Sequence, residues 1–141
     1  MNKEGNWKDC IESSSSLKVS PDKSKAKSLI DTAKGRVDYL KNAEIKENSA
    51  NYVFESYYSS VLEMLHAILI LKGYKVSNHV CLGFYIRDVL KKADIFRVFD
   101  DCRFKRNSLI YYGRKMDFAT AKKTIINCKK LIKDLEKLVN L

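Results

Sequence analysis

Arg103, Arg106, Asn107, Tyr111 and Tyr112 stand within the short stretch Arg103-Phe104-Lys105-Arg106-Asn107-Ser108-Leu109-Ile110-Tyr111-Tyr112-Gly113. Two guanidinium groups, an amide and two phenols so close together could grip an anion. A guanidinium offers a planar fork of donors that matches a phosphate, and a phenol can hydrogen-bond a phosphate or stack on a base. The stretch reads as the last turns of a helix, with Gly113 as the stop residue that tolerates a left-handed backbone. An apolar stripe enters it through Phe99, Cys102, Arg106, Leu109 and Gly113, in steps of three and four. Arg106 thus falls where a core side chain belongs, and an unpaired buried charge is costly. It must meet a ligand anion, a wet cleft or a carboxylate such as Glu55 or Glu63. Arg103, Asn107 and Tyr111 form a second, polar line four residues apart.

The elements that position this stretch are helical. One proline and five glycines in 141 residues leave few breakers, and no strand-like alternation or internal repeat is evident. Residues 1–19 predict a short helix around Trp7, Cys10 and Ile11, then a serine-rich connection. Residues 20–141 predict the bundle. Ser20 and Pro21 look like a helix start, and Ala26, Leu29, Ile30, Ala33, Val37 and Leu40 continue as one stripe. Ser49 or Asn48 caps the most apolar helix, Tyr52 to Leu71, whose several apolar faces suit a central position. Glu63 and His66 lie on its narrow polar edge and could line a cleft. Ser77 caps a shorter helix to about Leu90, with His79 in its first turn as a surface residue. The Arg103–Gly113 stretch closes the next helix, from about Ile95. Asp117 caps the last, along Ala121, Ile125, Cys128, Ile132, Leu135 and Val139. The expectation is a single all-α domain, an up-and-down antiparallel bundle of about five to six helices.

The composition excludes several classes. Hydrophobic residues make up 45% of the chain, which argues against disorder, and the longest apolar run, Val61 to Leu71, is too short to span a bilayer. Of the four cysteines, Cys10, Cys81, Cys102 and Cys128, none forms a Cys-x-x-Cys pair, and no histidine sits at a zinc-ligand interval. Metal and cofactor are therefore not expected. Cys102 and Cys128 fall on apolar stripes as small hydrophobes. No signal peptide is read, so a reducing cytoplasm is the expected compartment. The net charge of +10 suits a nucleic acid or other polyanion, though a merely solvated lysine-rich surface gives the same charge.

The pattern Arg106-Asn107-x-x-x-Tyr111-Tyr112-Gly113 closing a helix resembles the signature helix of HEPN domains. The likeness extends to Trp7–Ile11, to Ser20–Ala43, and to Phe54–Tyr74 with its Leu-Lys-Gly-Tyr-Lys ending. It covers nearly the whole chain. The resemblance implies a small helical bundle of prokaryotic toxin–antitoxin or RNA-processing systems. It implies a homodimer whose paired signature helices line a shared cleft, and a minimal nucleotidyltransferase as companion. In HEPN ribonucleases the arginine holds the scissile phosphate, a histidine moves protons, and no metal takes part. Tyr111 stands here in place of that histidine, and a phenol is a poor base at neutral pH. The expectation is an RNA- or nucleotide-binding module with weak or absent cleavage, using Arg103, Arg106, Asn107, Tyr111 and Tyr112. Two alternatives stand beside it. One is an active metal-independent endoribonuclease with Arg106 and Tyr111 as catalytic residues, or with Glu63 or His66 as proton carrier. The other is a structural dimer without a nucleic-acid ligand. Some family members are adenylylated on a tyrosine near the motif, which Tyr111 and Tyr112 make chemically possible, although the family's acceptor position falls on Gly113.

Overall fold

The computed structural model describes residues 4–139. Helices α1 (Trp7–Glu12), α2 (Lys23–Leu40), α3 (Ala50–Leu71), α4 (His79–Asp88), α5 (Ala93–Tyr112) and α6 (Phe118–Leu138) form an all-α bundle. Helix α3 is its centre. Phe54, Tyr57, Tyr58, Val61, Met64, Leu65, Ala67, Ile68 and Leu69 are all buried, so no single face accounts for them. It packs mainly on α2 and α6, with α5 and α4 at its flank. Such all-round burial follows from the sequence, since a helix apolar on several faces is stable only when surrounded. Helix α2 buries Ala26, Ile30, Ala33 and Leu40, in steps of four, three and seven.

Helix ends follow local chemistry. Asp117 caps α6, accepting from the Thr120 amide at 2.8 Å. Gly113 closes α5 with φ 62°. The Ser20-Pro21 start does not hold: α2 begins two residues later, with Asp22 accepting from the Lys25 amide at 2.9 Å. The reason lies at the end of α3. Val19 N–H donates to the Gly73 carbonyl at 2.8 Å, and Asp22 N–H to that of Ile70 at 3.3 Å, so the chain stays extended past Pro21. Asn78, not Ser77, caps α4.

The serine-rich connection is also more ordered than expected. Two short strands, β1 (Ser16–Lys18) and β2 (Tyr74–Val76), pair antiparallel with Ser16 opposite Val76. Three residues per strand are too few for alternation to register in a sequence. The turn before β1 carries a cost. Ser14 takes a left-handed φ of 63°, and the buried Ser16 hydroxyl has no hydrogen-bond partner among the described residues.

Cys10 and Cys81 are joined by a disulfide across 71 residues. Spacing gave no hint of it, because only folding brings α1 onto α4. Closing a loop of that length stabilises a chain by about 4 kcal/mol in the chain-entropy view. Disulfides mark oxidising compartments and some hyperthermophile interiors, so this one lends nothing to the expected reducing cytoplasm. Cys102 and Cys128 are free and buried, with Sγ atoms 3.7 Å apart. No helix among the described residues is long and apolar enough to cross a membrane.

Gly73 is fixed by its surroundings. Its φ is 85°, and a Cβ there would lie 2.7 Å from the Val19 carbonyl oxygen. A left-handed backbone costs an L-residue about 1–2 kcal/mol before any clash. Gly73→Ala is therefore expected to lower stability by at least about 2 kcal/mol, read as a reduced urea midpoint at unchanged slope.

Candidate functional site

The C-terminal half of α5 leaves the core. Phe99 and Cys102 are buried, but Arg106 and Leu109 are only half-buried, and Phe104, Ile110, Tyr111 and Tyr112 are exposed. The stripe that enters the helix as core thus leaves it as surface, and Arg106 sits at the transition. Its guanidinium carbon lies 5.9 Å from the ring centre of buried Tyr58 and 6.0 Å from that of exposed Tyr111. Among the described residues Arg106 has no carboxylate partner. Its polar contact is a long one, 3.5 Å from Nη1 to Asn107 Oδ1. Among the described residues neither Glu55 nor Glu63 forms the internal salt bridge with it; Glu63 pairs instead with Arg36 of α2. Arg103 is differently placed. Its Nε donates to Asp100 Oδ1 at 3.0 Å and its Nη2 lies 2.9 Å from the same oxygen as an ion pair, which anchors it within its own helix.

A shallow cavity of about 400 Å³ brings Arg103, Arg106, Asn107 and Tyr111 together with Glu4, Ser77, Asn78, His79 and Val80. Tyr112 lies outside it, its ring 5.4 Å from the Arg114 guanidinium carbon. Glu63 and His66 are outside too. His66 lines a separate cavity of about 220 Å³ with Lys25 and Tyr74. A wider concavity of about 560 Å³, between the α4–α5 turn and the end of α6, presents Lys91, Lys92, Lys130 and Lys137 beside Asp94 and Asp134. Those are exposed surface charges of both signs, with no imidazole and no buried guanidinium. Among the described residues no three His, Cys, Asp or Glu side chains group as metal ligands.

The residue that sequence reading missed is His79. The Asn78 cap places it in the first turn of α4. The Tyr58 hydroxyl lies 3.2 Å from its Nδ1. With the phenol as donor, Nδ1 is unprotonated and Nε2 carries the ring proton. Burial holds the phenol well above its ordinary pKa, which keeps it protonated for that role. Burial also pushes His79 down to about 4, and the Arg106 charge pushes in the same direction. The N-terminus of α4 adds positive potential. At neutral pH the site is thus two guanidinium groups, a neutral imidazole, the Asn78 and Asn107 amides and, at its edge, the Glu4 carboxylate around one cavity. The only sequence signal for His79 was its place beside a helix cap. Its partners come from α3 and α5.

This shift has a measurable consequence. The unfolded chain takes up a proton near pH 6.5, whereas folded His79 does so only near pH 4. Falling pH therefore favours the unfolded state across that window. Stability is expected to drop by about 1–2 kcal/mol between pH 6.5 and 4, less than the whole shift because solvent screens the partly exposed ring, with His66, also lowered by burial, adding in the same direction. Urea midpoints for wild type and His79→Gln across that range test this, since the variant should lose the larger part of the dependence. A bound phosphate would offset the Arg106 charge, so the His79 NMR titration should move upward when inorganic pyrophosphate is added.

Compared with known proteins, the chain matches no protein-family model, and neither the curated proteins nor the solved structures give a match.

Proposed function

We propose that the chain is a HEPN-like module that binds RNA by a phosphate held at Arg106, with cleavage weak or absent. The observation that carries this reading is a half-buried guanidinium with no carboxylate partner among the described residues, facing a cavity shared with Arg103, Asn107, Tyr111 and His79. An arginine so placed is satisfied by an anion from outside. The net charge of +10 would steer a polyanion to it. Tyr111 then serves as a hydrogen-bonding or stacking group, not as a base.

His79 favours a second reading, a metal-independent ribonuclease. Where Tyr111 occupies the family's histidine position, an imidazole reaches the same cavity from α4. A phosphodiester beside Arg106 would raise its pKa towards the useful range. A cleavage assay on mixed single-stranded RNA with EDTA present, comparing wild type, Arg106→Ala and His79→Ala, separates the two. The binding module predicts little or no cleavage by the wild type, and none that depends on His79. Cleavage by the wild type that disappears in both variants would establish the ribonuclease.

The expected homodimer and nucleotidyltransferase companion belong to the same proposal. Phe104 and Tyr111, two turns apart on one side of α5, are exposed apolar groups of the kind a second copy would cover, and Ile110 and Tyr112 are exposed nearby on the same helix end. Sedimentation of wild type and Phe104→Glu tests the dimer, and a wild type that is already monomeric would remove it. Both tyrosines are accessible as adenylyl acceptors, and intact mass after co-expression with the transferase would reveal the modification.

A further inference from the structure

Residues 4–18 reach this site at their first residue, since Glu4 lines the cavity while α1 and β1 pack beside it on α4 and β2. Trp7 packs edge-on against Tyr74 and Tyr85, with ring centres 5.3 and 5.0 Å away, and its amide donates to Asp88 Oδ2 at 2.8 Å. Helix α1 has six residues, too few to persist alone, and it rests chiefly on α4. The segment carries the left-handed Ser14 and the unpartnered Ser16 hydroxyl, both of which disfavour its docked form. At its start, Glu4 Oε1 accepts from the Ser13 and Ser15 hydroxyls at 2.9 and 2.7 Å. These bonds hold the carboxylate at the cavity that Arg103, Arg106 and His79 line. A fixed carboxylate there repels an incoming phosphate. The Cys10–Cys81 disulfide fastens the segment to the first turn of α4, two residues beyond His79.

We propose that residues 4–18 form a strap that holds the Glu4 carboxylate at the Arg103–Arg106–His79 site, locked by the Cys10–Cys81 disulfide and released by a dithiol reductant. The inference rests on the phosphate-binding reading above. In the release step one thiolate of the reductant attacks a protein sulfur. The protein S–S bond breaks, and the other sulfur leaves as a thiolate that takes up a proton. The reductant's second thiol then closes its own disulfide and frees the first protein sulfur as a thiol. Two electrons pass from reductant to protein, leaving Cys10 and Cys81 as thiols. Both sulfurs are buried, so attack waits for α1 to lift, which makes release slow.

The test uses dithiothreitol, a fluorescent single-stranded RNA, and Trp7, the only tryptophan in the chain. Reduction, verified by mass after thiol labelling, should shift Trp7 emission to the red and tighten RNA binding by roughly three- to tenfold as the carboxylate leaves. Oxidised Glu4→Gln should bind as tightly as the reduced wild type and gain nothing further on reduction. Should reduction unfold the chain, Glu4→Gln, which keeps the disulfide, decides alone. Binding that depends on Arg106 but is indifferent to Glu4→Gln and to reduction overturns the strap and leaves the phosphate reading standing. RNA binding absent from wild type and Glu4→Gln in both redox states contradicts the phosphate reading itself.

Discussion

Arg106→Ala is expected to weaken RNA binding by about 10- to 100-fold, as befits the loss of charge-assisted hydrogen bonds to a phosphate. The same variant should stay within about 1 kcal/mol of wild-type stability, because Arg106 holds no carboxylate among the described residues. That combination is what separates a ligand-facing arginine from a structural one. A structural arginine would lose stability first and binding only through unfolding. Electrophoretic or anisotropy titrations at two salt concentrations make the comparison sharper. Removing one phosphate contact should flatten the dependence of log affinity on log salt by a little under one. Arg103→Ala should do less harm to binding, since its guanidinium is shared with Asp100.

The second large effect concerns the floor of the site. Tyr58 is 1% exposed and lies under three features at once. Its ring stacks on Phe99 at 6.1 Å, faces the Arg106 guanidinium, and carries the hydroxyl that meets His79. Tyr58→Ala is expected to cost about 3–5 kcal/mol, a large part of the roughly 5–15 kcal/mol that holds an ordinary domain together. Tyr58→Phe keeps the packing and loses only the hydroxyl, at about 1 kcal/mol. Thermal or urea unfolding of the two variants measures the difference. In Tyr58→Phe the His79 ring should lose its fixed tautomer, visible in its nitrogen chemical shifts, while Arg106 stays in place. Equal destabilisation by both variants would show that the hydroxyl, not the ring, is what the core depends on.

Much of the scaffold could be read from residue order. The crowded apolar faces of α3 require neighbours on several sides, and the structure supplies them. Gly113 and Asp117 bracket the α5–α6 connection by backbone and capping chemistry that needs no tertiary partner. Arg106 stood out for the same local reason, as a charge on an apolar stripe. What escaped is what depends on packing at a distance. Ser20 and Pro21 carry a helix-start signal that the Gly73 turn overrides by binding the backbone of residues 19–22. Ser15 and Ser16 look like linker residues until Ser77 donates to the Ser15 carbonyl and β2 gives Ser16 a strand to pair with. Cys10 and Cys81 have no spacing that would couple them. His79 looks like any polar residue after a helix cap, because Tyr58 and Arg106 reach it from two other helices. Glu63 drew attention as a cleft residue, but Arg36 on α2 occupies it instead.

The most direct test of the account is to watch the side chains themselves. In a chain carrying ¹⁵N-labelled arginine and histidine, NMR spectra are recorded while a short single-stranded RNA is added. The account predicts that the Arg106 and Arg103 guanidinium signals and the His79 ring signals move together and saturate at one affinity, with His66 unchanged. RNA that binds, as read by anisotropy on the same sample, while those three signals stay still would contradict it.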